Sequence, residues 1–271
     1  MTPLFDTHCH LQDPGFAGDE AEAIARAAAA GVGGMLVCGW DGPSNAAALD
    51  LAAKHSGVFP ATGFHPHEAR TITPAMLAEL ESLASLPEVV CVGEIGLDFF
   101  RDHSPRDVQR RILDEQLAIA LRAAKPVSVH SRGAEDAIYS HLKEYARQSP
   151  LPALGRSPGV MHCFGGNLEQ ALRYVALGFA ISLACTVTYP NNREGRLLAT
   201  ALPLGSLVVE TDSPYLPPQQ LRGKPNEPAH LHHAVETVAA LRGLAFAEVA
   251  AATSATAARI FAVALPVAVA A

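Results

Sequence analysis

The sequence predicts a single α/β domain, a (β/α)8 TIM barrel over residues 1–271, and three observations carry that prediction. Eight short apolar runs end near positions 9, 39, 64, 94, 130, 162, 184 and 212, and their spacing of 22 to 36 residues is that of a βα unit. The runs are hydrophobic on both faces, as the strands of a parallel sheet covered by helices must be. No Gly-x-Gly-x-x-Gly follows the first run, which disfavours an open doubly wound sheet. Eight units in 271 residues are the number a closed barrel needs.

The elements follow in order. Pro3-Leu-Phe5 leads a first strand into His8-Cys-His10. An Ala-rich helix over 19–30 ends at Gly31, and Gly34-Met-Leu-Val-Cys-Gly39 reads as a buried strand. A helix over 44–55 ends at Gly57, and the run 58–64 delivers His65-Pro-His67. After a helix over 74–83, Val89-Val-Cys-Val-Gly93 ends on Glu94. A long helix over 106–124 precedes Pro126-Val-Ser-Val129, which delivers His130. A helix over 135–147 and a Pro-rich loop precede Gly159-Val-Met161, which delivers His162. Helices over 168–177 and 194–201 flank the run 179–184, and the run 206–211 delivers Asp212. Helices over 230–241 and 246–261 close the chain.

Composition limits the function classes. With 49% hydrophobic and 17% charged residues the chain can bury a large core. Its 20 Lys and Arg against 27 Asp and Glu give a net charge of -7, which argues against a broad cationic nucleic-acid surface and leaves room for a local cationic groove. The five cysteines are odd in number, well separated and free of any Cys-x-x-Cys, the pattern of reduced thiols in a cytoplasmic protein. No signal-peptide pattern opens the chain, and the apolar end, 260–271, is too short to span a bilayer and is broken by Pro266. The expectation is a cytoplasmic enzyme without a membrane segment.

The residues at the strand ends carry the chemistry. His8 and His10 share one side of an extended strand, because side chains alternate with period two. In a barrel, the C-terminal strand ends form one ring, and there His8, His10, Glu94, His130, His162 and Asp212 would converge. Each has an ordinary alternative: a strand-end histidine satisfied by its loop, or Asp212 capping the turn before Ser213-Pro214. Five strands doing so together call for one explanation, and Glu94 ending a buried strand unpaired would be costly. Four imidazoles and two carboxylates exceed the needs of one ion and suit two sharing a bridging carboxylate, with Glu94 as the natural bridge.

These segments also carry a resemblance. Asp6-Thr-His-Cys-His-Leu11, Gly63-Phe-His-Pro-His67, Gly93-Glu-Ile-Gly-Leu-Asp98, Pro126-Val-Ser-Val-His-Ser-Arg132, Met161-His-Cys-Phe164, Glu210-Thr-Asp-Ser-Pro-Tyr-Leu216 and Arg222-Gly-Lys-Pro-Asn-Glu-Pro228 resemble, in order, the motifs of the TatD family of metal-dependent deoxyribonucleases. The resemblance implies a TIM-barrel hydrolase with one metal on His8, His10, Glu94 and Asp212 and a second on Glu94, His130 and His162. His65 would line the site, either as a phosphate contact or behind the metal ligands. Pro225, Phe164-Gly-Gly166 and Thr256 depart from the family pattern; none is a ligand, and the first two lie in loops that would meet substrate.

The implied reaction is hydrolysis of DNA, with RNA as a further substrate, in the 3′→5′ exonuclease mode on single strands. Water activated by two divalent ions would attack the phosphorus, with Asp212 accepting its proton. Mg²⁺ or Mn²⁺ is expected in turnover and Zn²⁺ as an ion the His-rich set also accepts. Arg132, in the Ser131-Arg132 pair that directly follows a ligand, and Arg222, in a Gly-containing loop, are expected on substrate phosphates, with Arg70, Arg101 and Lys224 as further rim cations. Two other readings stand beside this one. A small-molecule amidohydrolase or lactonase could use the same centre, but many such enzymes bridge with a carboxylated lysine, and no lysine lies between Lys54 and Lys125. A non-catalytic binding barrel fits poorly with an intact ligand set.

Overall fold

The computed structural model describes residues 3–264, and its eight parallel strands pair in chain order. They are β1 (Leu4–Cys9), β2 (Val32–Cys38), β3 (Val58–Thr62), β4 (Cys91–Asp98), β5 (Val127–Arg132), β6 (Gly159–Met161), β7 (Ala180–Ala184) and β8 (Leu207–Glu210). The helices are α1 (Glu20–Ala29), α2 (Gly42–Lys54), α3 (Pro74–Ala84), α4 (Arg106–Ala123), α5 (Tyr139–Gln148), α6 (Leu168–Ala176), α7 (Arg193–Ala201), α8 (Leu231–Arg242) and α9 (Phe246–Phe261). This is the expected TIM barrel, nearly closed.

Local sequence explains the helix starts. Asp41 accepts the Ser44 amide at 2.8 Å while the Ser44 hydroxyl accepts the Asp41 amide at 2.9 Å, a capping box for α2. Asn167 and Gln170 do the same for α6. The barrel interior at its N-terminal end is filled by alternate strand residues, Phe5, Leu36, Cys38, Ala61, Val160 and Val208, and closed by Ile260 and Phe261 of α9. Phe5 stacks on both Phe59 and Phe261 with ring centroids 5.7 Å apart. The complementary set, including Leu4, Met35 and Val37, faces the helices.

Two of the expected elements differ. The β4 run was expected to end on Glu94, but the strand continues to Asp98, pairing Ile95, Gly96, Leu97 and Asp98 with Val129 to Arg132 of β5. Glu94 is therefore inside a strand. The expected helix over 135–147 begins only at Tyr139. Residues 135–138 form turns instead, held by Asp136, which accepts from Arg173 at 2.8 Å and Gln170 at 3.0 Å, so side-chain pairing with α6 displaces helix propensity.

Three buried amides fix the strand ends that carry the site. Gln116 of α4 receives the Phe64 amide (2.7 Å) and donates to the Phe64 carbonyl (3.0 Å), Gln109 does likewise at Asp98 (2.8 and 3.0 Å), and Asn45 of α2 at Gly63 (2.9 and 3.1 Å). Each stands in for a missing strand neighbour, so no buried backbone group is left unpaired there. The seam between β8 and β1 is closed by Asp6, whose carboxylate accepts the Thr211 amide (2.9 Å) and hydroxyl (2.6 Å). Just beyond, the Asp212 amide donates to the His8 carbonyl at 2.9 Å and the His10 amide to the Ser213 carbonyl at 2.8 Å. Among the described residues no single helix is long and apolar enough to cross a membrane; α8 and α9 satisfy length and composition only together, with a bend of 116°. The end of the apolar stretch 260–271, with Pro266, lies outside the described residues.

Candidate metal centre

Strand alternation turns His8 into the barrel mouth, and the chain delivers His10 one residue past the end of β1. His10 Nδ1 lies 2.9 Å from the Cys38 carbonyl, which can only accept, so Nδ1 carries the proton and Nε2 presents a bare lone pair. That Nε2 stands 3.2 Å from Nε2 of His8, whose other nitrogen is 3.2 Å from the Ser128 hydroxyl. The two imidazoles thus converge on one point, the arrangement a shared cation requires.

Glu94 sits between two imidazole sets. Its Oε2 is 3.4 Å from His8 Nε2 and 3.7 Å from His10 Nε2. Its Oε1 is 2.9 Å from His130 Nδ1, 3.5 Å from His162 Nε2 and 3.6 Å from His65 Nε2. Asp212 Oδ1 stands opposite, 3.7 Å from His10, 3.9 Å from His162 and 4.0 Å from His8. Asp212 takes a left-handed backbone (φ 57°), which Asp tolerates better than most residues.

Three ligand groupings result: His8 with Glu94 and His162; His8 with His10 and Asp212; and His65 with Glu94 and His130. The structure therefore gathers all six residues expected as ligands and adds His65 to them. It differs in the sharing. His162 falls nearer His8, whose ring stacks on it at 3.5 Å, than His130, at 6.1 Å between centroids.

Supporting carboxylates went unassigned in the sequence. Asp98 Oδ2 lies 3.2 Å from His130 Nε2 and 3.0 Å from His67 Nε2. Glu210 Oε1 lies 2.9 Å from His162 Nδ1 and accepts the Cys163 amide at 2.8 Å. Carboxylates behind histidine ligands fix ring orientation and raise basicity. The only signal available was parity, since Glu210 shares a strand face with Asp212 and Asp98 with Glu94.

The centre floors a cavity of about 450 Å³ whose wall includes Trp40, Tyr215, Asp13, Arg101, His103 and Arg132. Of the expected phosphate contacts, Arg132 and Arg101 line this cavity. Arg222 does not; it is exposed, with its guanidinium over the Tyr189 ring at 4.8 Å. Arg70 and Lys224 also lie outside it.

Comparison with known proteins decides the family. The family described as "TatD related DNase" matches residues 5–262. The chain belongs to the TatD family. It is 34% identical over 258 residues, 95% of this chain and 98% of the other, to the uncharacterized metal-dependent hydrolase YabD of Bacillus subtilis. It is 38% identical over 248 residues, covering 89% and 90%, to a protein of Klebsiella pneumoniae named 3′-5′ ssDNA/RNA exonuclease TatD. The crystal structure of the TatD homolog YjjV from Escherichia coli superposes with a TM-score of 0.89 at 36% identity, covering 96% of this chain and 98% of that one. This TatD chain is thus a metal-dependent hydrolase, and its donor set fits divalent ions: imidazole nitrogens and carboxylate oxygens gathered around Glu94 and Asp212.

The charge states of the TatD centre make ion binding pH-dependent. Burial opposes ionisation of Glu94, yet His65, His162 and His8 around it hold it well below the usual carboxylate range. Burial pushes Asp212 up to about 6. Burial also works against the His162 imidazolium, but Glu210 and Glu94 outweigh it and raise that group to about 10. A metal must displace the His162 proton and, below about pH 6, the Asp212 proton as well. Displacing the His162 proton contributes about tenfold per pH unit and the Asp212 proton about fourfold more, so Mn²⁺ affinity of the apoprotein should rise roughly four-hundredfold between about pH 5.5 and about pH 7.5. Calorimetry in two buffers of different ionisation enthalpy reads the released protons; equal affinity at both pH values would contradict these charge states.

Proposed function

We propose that this TatD protein hydrolyses phosphodiester bonds of nucleic acid, DNA and also RNA, removing nucleotides from the 3′ end of single strands. One observation carries the reading: the two oxygens of Glu94 face separate imidazole sets at the floor of a cavity with Arg101 and Arg132 on its wall. The name of the Klebsiella relative supports the substrate class and polarity.

His8, His10, Glu94 and Asp212 would hold one divalent ion, and Glu94, His130 and His65 the other, with His162, stacked on His8 and facing Glu94, able to reach either. Such ions, Mg²⁺ or Mn²⁺ in turnover and Zn²⁺ also accepted, supply Lewis acidity and a water of lowered pKa. Asp212, whose Oδ1 lies 3.7 to 4.0 Å from His10, His162 and His8, would accept the proton of that water. Arg132 and Arg101 offset the charge on the non-bridging phosphate oxygens. Arg222, outside the cavity, would meet a phosphate farther along the strand.

A time course on 5′-labelled single-stranded DNA tests this, with Mg²⁺, Mn²⁺ or EDTA. The expected result is a ladder that shortens from the 3′ end with either metal and stops with EDTA. Intact DNA under every metal, with ions bound by elemental analysis, would favour the small-molecule hydrolase.

A further inference from the structure

Large apolar side chains on a protein surface are unremarkable singly, but Phe100 is held in place as well as exposed. It is 66% exposed at the C-terminal rim of the barrel, two residues beyond β4. Its amide donates to Asp98 Oδ1 at 2.9 Å, and the Arg101 amide to the same oxygen at 2.7 Å, so one carboxylate pins the turn. The Arg132 guanidinium lies 4.2 Å from the Phe100 ring centroid. The preceding residue, Phe99, has Arg106 and Arg110 over its ring at 4.6 and 4.9 Å.

One arginine thus lies over the Phe100 ring and two over its neighbour Phe99, while an aspartate pins the turn that carries both. The Asp98 oxygen that does not pin the turn contacts His130, so ring and metal centre hang on the same side chain. Arg132 itself lines the cavity floored by Glu94. The other exposed aromatic at the rim, Tyr215, is committed: its hydroxyl donates to Asp13 at 2.7 Å and its ring packs edge-on to His10. Among the described residues Phe100 has no such partner beyond Arg132. An exposed aromatic backed by a cation, beside a phosphate site, is what stacking of a nucleobase requires.

We infer that Phe100, carried on Arg132, is the stacking platform for the nucleobase adjoining the scissile phosphate. This rests on the nucleic-acid reading above. Only an unpaired, splayed base can lie on such a ring, so the platform also selects single strands.

The test is a cycle between protein and substrate in the Mn²⁺-loaded enzyme. Phe100→Ala should raise KM about tenfold on a single-stranded oligonucleotide, the scale of one lost stacking contact. The same variant should show a far smaller penalty on one member of a set of oligonucleotides carrying a single abasic site at the terminal, penultimate or third 3′ position. Phe100→Trp should restore KM, whereas Phe100→Leu, apolar but without a π face, should not. A melting temperature within a few degrees of wild type checks that each variant is folded. A Phe100→Ala penalty equal on all abasic and intact substrates, or no penalty, would overturn the platform while leaving the nuclease standing. If the wild type cleaves a small phosphodiester but neither binds nor cuts any oligonucleotide, platform and nuclease reading fall together.

Discussion

Glu94→Ala should lower hydrolysis at least about a thousandfold, because removing a shared ligand disables both ion positions at once. Its two oxygens are within 3.7 Å of five imidazoles, so no other side chain can replace it without breaking one set. Elemental analysis of the purified variant should show loss of bound metal beyond a single ion's share. Circular dichroism should still show the folded barrel, since the strand around Glu94 is held by backbone pairing. Turnover within tenfold of wild type, with metal content unchanged, would remove Glu94 from the bridging role.

Gly96→Ala should have the largest effect on stability. Gly96 has φ of 152°, and a Cβ there would lie 1.9 Å from the His130 carbonyl oxygen, inside any possible contact. The neighbour is backbone of the paired strand, so relief requires β4 and β5 to separate where Glu94 and His130 face each other. A cost of roughly 3 kcal/mol or more is expected, from overpacking and a disfavoured backbone together. For a domain of this size that is a fall in Tm of about 10 °C. Metal affinity should fall with it. A Tm within about 2 °C of wild type would mean the strands have slack here.

The same segment shows where sequence reading succeeds and where it stops. The apolar runs and their spacing give the barrel, because burial on both faces leaves a signal in every strand. The ligands are legible for a related reason, since a polar residue ending an apolar run is conspicuous. That logic misplaces Glu94 at a strand end. The run is broken by Gly93, Glu94 and Gly96, and nothing local reveals that those glycines are there to let β4 and β5 approach closely. Asp98 and Glu210 are opaque for a different reason: their histidine partners lie 32 and 48 positions away in the chain, and only the closed barrel brings them together. The late start of α5 likewise follows from a bond to another helix. Arg222 was singled out by its loop glycine, which gives reach but no direction.

The seam between the first and last strands sets when the molecule becomes reactive. Asp6 and Thr211 are 205 positions apart, and His8, His10 and Asp212 straddle the same join. Contacts of such separation form late, after the loop between them has been closed. During synthesis the chain emerges from its N-terminus, at about 5–20 residues per second. The first two histidines are exposed many seconds before their acidic counterpart exists. Chains that have not yet reached Asp212 therefore lack one of the residues proposed to hold the ions, and the site is gathered only when the final strand docks.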